Sequence, residues 1–236
     1  YNGSDLNENK IQFILGNKYW REDINRELNV NDTFILQELP AQMKYDPAVL
    51  IGFYARGEMS KTLGIILQFN YQNLKTTDFF TINIDPVIYL TEPDLRLYTI
   101  YGSEKRINID VGISKIFRPK EKTQIFIEGG FNLNNTKVVE SKIQIENLEY
   151  SLVNVYLNQN YVPNSNLQEY AINQGGIGFG TFLSSGVKLN FSDAISIDPG
   201  ATLYWKSIHL EGYDYTKLHY SFYVRMIFKL SFESEP

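Results

Sequence analysis

Apolar and polar residues alternate with a period of two along most of this chain, and the longest such run lies near its C-terminal end. Thr216, Leu218, Tyr220, Phe222, Val224, Met226, Phe228, Leu230 and Phe232 share one face, and Lys217, His219, Ser221, Tyr223, Arg225, Ile227, Lys229 and Ser231 share the other. Successive side chains of a strand point to opposite sides, so this spacing predicts a long two-faced strand. The pattern returns at 195–206, where Pro199 falls on the apolar face and suggests a bulge. Further runs at 177–191, 125–134, 107–114, 63–72 and 49–56, with a weaker one carried by Ile11, Phe13 and Leu15, bring the predicted count to eight. Apolar stretches at 79–84 and 153–157 leave ten strands open as the alternative.

The connections fall into two classes. Tight turns near 58–61, 118–121 and 191–194 alternate with longer segments at 20–46, 75–104, 136–174 and 209–214. That order fits an all-β, closed antiparallel up-and-down transmembrane β-barrel, whose short periplasmic turns alternate with longer external loops. An even strand count places both of its ends in the periplasm. The expected organisation is an N-terminal periplasmic tail over 1–9, a barrel over 10–232 and a C-terminal tail over 233–236.

The polar face decides which side faces outward. It carries Gly52, Gly64, Gly112, Gly130, Gly178, Gly180, Gly186 and Gly200 among Ser, Thr, Asn and Tyr, which suits a crowded lumen filled by side chains. Turning the last strand over would aim Lys217, Arg225 and Lys229 at lipid, at a cost of roughly 2–4 kcal/mol for each cation near midplane.

Composition narrows the field. The 17 Tyr and 15 Phe favour strands. No apolar run reaches the roughly 18 residues of a helical membrane span, whereas a barrel strand needs only about 9–11. With no Cys there is no disulfide and no thiolate chemistry, and a net charge of -5 with scattered cations gives no field for nucleic acid. The chain starts at Tyr1 with neither Met nor an apolar leader, as expected of a mature or trimmed product.

Over nearly its whole length the chain resembles the small eight-stranded outer-membrane barrel proteins, in particular the porin-family barrels of Bacteroidota, and Phe232 resembles the terminal aromatic assembly signal of that class. The resemblance implies a bacterial outer-membrane location, with membrane lipid and lipopolysaccharide as surroundings.

Candidate chemistry is sparse. Arg56, Asp110, Glu128, Lys188, Asp198, Arg225 and Lys229 all point into the expected lumen, where charges need partners and a structural network is the natural outcome. His219-Tyr220-Ser221 resembles the His-x-Ser element of outer-membrane lipid A deacylases, in which the pair supplies base and nucleophile. The only acids downstream to orient His219 are Glu233 and Glu235, beyond the barrel. His209 with Glu211 and Asp214 has no fixed ligand spacing, so no metal site is expected. Gly175–Gly180 lacks the helix that a dinucleotide-binding turn requires, so no cofactor is expected. A filled barrel leaves function to its external loops. The leading expectation is a non-enzymatic interaction or accessory protein that meets another outer-membrane protein or a surface glycan. The alternatives are a lipid A-modifying hydrolase using His219 and Ser221, and a narrow solute channel.

Overall fold

The computed structural model describes residues 7–30, 33–40, 43–84, 94–118, 121–152, 174–192, 194–210 and 213–229. Two helices open the chain, α1 (Asn7–Gly16) and α2 (Lys18–Leu28). Nine strands follow: β1 (Phe34–Glu38), β2 (Leu50–Glu58), β3 (Leu63–Ile84), β4 (Asp94–Phe117), β5 (Thr123–Ile145), β6 (Leu148–Ser151), β7 (Gln174–Asn190), β8 (Ile195–Leu210) and β9 (Tyr213–Phe228). They form one antiparallel sheet in the order β2-β3-β4-β5-β7-β8-β9, with β1 continuing the line of β2 along the far end of β3 and β6 folding back on β5.

The tight turns fall where the sequence puts them. Between β2 and β3 the amides of Met59 and Ser60 donate to Leu63 O at 3.0 and 2.9 Å, while Ser60 Oγ accepts from Leu63 N at 3.1 Å. Ser192 serves the β7–β8 turn in the same way, accepting from Ile195 N at 3.1 Å. Arg118, with φ of 54°, turns the chain after β4; Pro119, Lys120 and Asp193 lie outside the described residues.

Several expectations need correction. The weak alternation at 11–16 is helix, because Ile11, Ile14 and Leu15 also satisfy helical spacing and all three are buried. Asn17 then caps α2, accepting from Tyr19 N at 3.0 Å, and Trp20, Ile24 and Leu28 form its buried stripe. Residues 7–9 are therefore helical, and the expected 20–46 loop holds α2 and β1. Among the described residues the strand count is nine rather than eight. The segment 75–104 is mostly strand, since β3 runs on to Ile84 and β4 begins at Asp94; 153–157 lies outside the described residues, as does Phe232. Pro199 makes no bulge: Gly186 pairs with Gly200 and Leu189 with Ile197, so the β7–β8 ladder lapses for two pairs and resumes in register.

A bulge does occur at Val139. Ser103 pairs with Glu140 but Glu104 with Val138, so one extra residue on β5 changes which side chains turn inward. Below it Gln124, Glu128 and Asn132 are buried; above it Ser141, Ile143 and Ile145 are. The concave face is thus polar toward the tight turns and apolar toward the other end, where Phe80, Ile82, Ile84, Ile100, Ile143 and Ile145 pack with the helices. The helices cap this end of the sheet. Arg96 Nη1 fastens the cap by donating to Leu28 O at 2.9 Å, at the carbonyl end of α2.

Candidate functional site

Below the cap, the sheet curls until side chains from strands far apart in its order meet on the concave face. Glu128 of β5 sits at the centre. It accepts from Arg225 of β9 at 2.9 Å and from Tyr54 of β2 at 2.7 Å. The Arg225 guanidinium lies over the Tyr54, Tyr223 and Phe126 rings at 4.0, 4.5 and 5.0 Å, and its side chain is only 9% exposed. This ion pair is largely buried, sandwiched by aromatics and held from three strands.

Asp110 of β4 centres a second group, accepting from Asn132 at 2.5 Å, Tyr204 at 3.0 Å and Asn70 at 3.4 Å. Three neutral donors thus satisfy a carboxylate that has no ion pair among the described residues. Asp198 accepts from Ser196 Oγ at 2.9 Å, and it and Lys188 both fall where the β7–β8 ladder lapses, one position from where it resumes at Leu189 and Ile197. Lys188 forms no hydrogen bond or ion pair among the described residues. Arg56 reaches Glu58 at 3.1 Å through Nη1, while its Nε and Nη2 are buried without a hydrogen-bond partner among the described residues. Lys229 lies exposed just past β9. Of the seven charges read from alternation, Glu128 and Arg225 form a direct pair. The others sit on the same concave face or at its tight-turn end.

The sequence reading missed a third group nearer the cap. Arg106 pairs with Glu104 at 2.7 Å and donates to Tyr45 Oη at 2.5 Å, and Lys206 donates to Asn108 at 2.5 Å. Glu104 fell in a presumed loop, and Tyr45 comes from the segment between β1 and β2, so periodicity gave no reason to join them. Lys206 was visible on the polar face of its strand; only the curl of the sheet brings it to Asn108.

His219 and Ser221 face inward, half-buried, beside a small cavity that Arg106, Lys206 and Tyr204 also line. Among the described residues no hydrogen bond joins them and no carboxylate bonds His219. A base-and-nucleophile pair needs both contacts. Glu233 and Glu235 lie outside the described residues, as does Glu211 near His209.

A larger cavity of about 1950 Å³ opens where β2 and β9 approach each other. It is lined by inward residues such as Tyr54, Arg56, Lys188 and Arg225 and by outward ones such as Phe53 and Val224, so it passes from the concave face to the convex one.

No protein-family model matches the chain, and no curated protein or solved structure is detectably similar to it.

Proposed function

We propose that the chain is an integral β-barrel protein of a bacterial outer membrane, of the small porin-family kind, with a non-enzymatic interaction or accessory role at its helix-capped end. The observation that carries this reading is a bounded apolar belt on the convex face. On β4 the outward residues are Ile107, Ile109, Val111 and Ile113, with Lys105 and Lys115 on either side. Ten residues of tilted strand rise about 25 Å, the height of the apolar band of outer-membrane barrels. The belt continues across the sheet, because Lys105 pairs with Asn73 of β3 and Lys137 of β5, and Val111 with Leu67 and Phe131. Its side chains are bare: Phe131 is 77% exposed and Phe222 78%. Charge lies inside and apolar surface outside, on a scale that water-soluble monomers rarely expose.

The capped end supports the interaction role. β4 has 24 residues, so at a tilt of about 40° it stands nearly 60 Å tall, about twice the band. Above the polar row at Lys105, Leu95, Leu97, Phe79 and Ile35 are exposed on the convex side. Lipid and lipopolysaccharide surround the belt in this reading, and another outer-membrane protein or a surface glycan meets the projecting end.

The test is extraction and refolding. The chain is expected to need detergent or lipid and to migrate faster on gels when unheated than when boiled. A monodisperse monomer in plain buffer would contradict the reading.

A further inference from the structure

Among the described residues, nine strands less β1 and β6, which lie toward the cap, leave seven around the polar concave face. Six antiparallel pairings in succession, from β2/β3 to β8/β9, make β2 and β9 run in the same direction. An antiparallel meander with an odd number of strands cannot close edge to edge by an antiparallel ladder. Among the described residues none pairs β2 with β9.

The seam shows as a modest loss of burial along edges that approach each other. Inward residues of the central strands are buried, among them Asp110, Ser114, Glu128, Asn132 and Ser184. Inward residues of the two edges, Tyr54 and Arg56 on β2 and His219, Ser221, Tyr223 and Arg225 on β9, are partly buried, the Arg56 and Arg225 side chains being 10% and 9% exposed. The cavity of about 1950 Å³ lies along this seam. Arg56, with a side chain 10% exposed and two buried N–H groups unmatched among the described residues, lines it, as does Lys188.

We propose that the seam between β2 and β9 is a strand-acceptor site, taking one extended segment of a partner polypeptide. The inference rests on the membrane reading above. Parity sets the direction: the guest runs antiparallel to both edges, so its N-terminus lies at the tight-turn end and its C-terminus at the capped end. A second copy turned about the membrane normal would keep its strands in the directions they have here, so its β2 or β9 would again lie parallel to the edge it met. Main-chain groups of both edges would be satisfied, as in strand addition generally. Alternation fixes the guest's chemistry, about 9–11 residues with apolar side chains outward and small polar ones inward. Charge fixes one position more, an inward acid level with Arg56.

The experiment uses the 236-residue chain refolded in phosphatidylcholine vesicles, with heat-modifiable migration scoring insertion on each sample. The probe is a synthetic 11-residue peptide alternating Leu or Val with Gly or Ser and carrying one inward Glu. Saturable binding is expected. A photo-crosslinker on its N-terminus should attach near Glu58, and one on its C-terminus near Leu50 and Tyr220. Arg56→Gln should weaken the Glu peptide about tenfold and leave its Gln counterpart unchanged. In a second measurement on the peptide-bound protein, the pair Phe53→Cys and Val224→Cys should resist disulfide formation, since an intervening strand holds the edges about 9.5 Å apart and a disulfide needs Cα atoms within about 7 Å. Inserted protein that binds no peptide, cross-links in the reverse sense or forms that disulfide readily overturns the strand-acceptor site alone. A chain that stays monomeric in buffer overturns the membrane reading with it.

Discussion

Arg225 gives up water for Glu128, Tyr54 Oη's neighbour, and for three aromatic faces. Removing it strands a carboxylate that is 2% exposed, so Arg225→Met is expected to cost about 3–5 kcal/mol. Lys217→Met, at an exposed position, should cost no more than about 1 kcal/mol. Urea titration of both variants in vesicles measures the difference, and equal losses would contradict the assignment. Glycine matters at the same scale. Gly112 and Gly130 face each other across β4 and β5, and a Cβ on Gly130 would lie 2.1 Å from Val111 O and 2.5 Å from Gly112 Cα. Backbone cannot yield as a side chain does, so Gly130→Ala should destabilise by about 1–3 kcal/mol in the same titration. Which residues face inward was legible from alternation, Arg225 and Glu128 included. Which of them touch was not, because partners 97 positions apart meet only through the curl of the sheet.

At the scale of elements, the cap is where sequence reading failed. Residues 11–16 fit both a short strand and a helix, and short apolar runs do not separate the two. The stripe Trp20, Ile24 and Leu28 was the available signal, at helical spacing in a segment set aside as a loop. The bulge at Val139 was illegible, since one inserted residue leaves an alternating pattern that looks like two overlapping runs. Two predictions follow the cap's construction. Ile24 is fully buried, so Ile24→Ala should cost about 2–5 kcal/mol of cap docking, seen as faster proteolysis of 7–28 with unchanged heat-modifiable migration. Tyr98, in the apolar core beneath the helices, donates to Glu146 at 3.3 Å. Burial raises its phenol above the ordinary value, with the Glu146 charge acting in the same direction. A raised folded value means that its contribution is whole below the unfolded pKa of about 10 and is lost as pH climbs through the folded one. With Trp205→Phe leaving Trp20 as the reporter, cap fluorescence should change above about pH 10, and Tyr98→Phe should remove that step.

For the whole molecule, alternation and turn spacing were enough to read an antiparallel, two-faced sheet. They were not enough for its ends. The expected even count placed both termini on one side, but the described chain enters at the capped end, through α1, and β9 finishes at the tight-turn end beside Ala194. A first strand misread from Ile11, Phe13 and Leu15 hid that parity. The central claim is that lipid covers the convex face. Its most direct test is a nitroxide scan of β5 from Thr123 to Asn134 in the vesicle-inserted protein, reading collision with oxygen, which concentrates in acyl chains, against a water-soluble nickel chelate. The account predicts a period-two pattern, with labels at 125, 127, 131 and 133 open to oxygen and closed to nickel, and labels at 126, 128, 132 and 134 protected from both. Outward positions as open to nickel as a water-exposed loop, or a pattern of reversed phase, would contradict it.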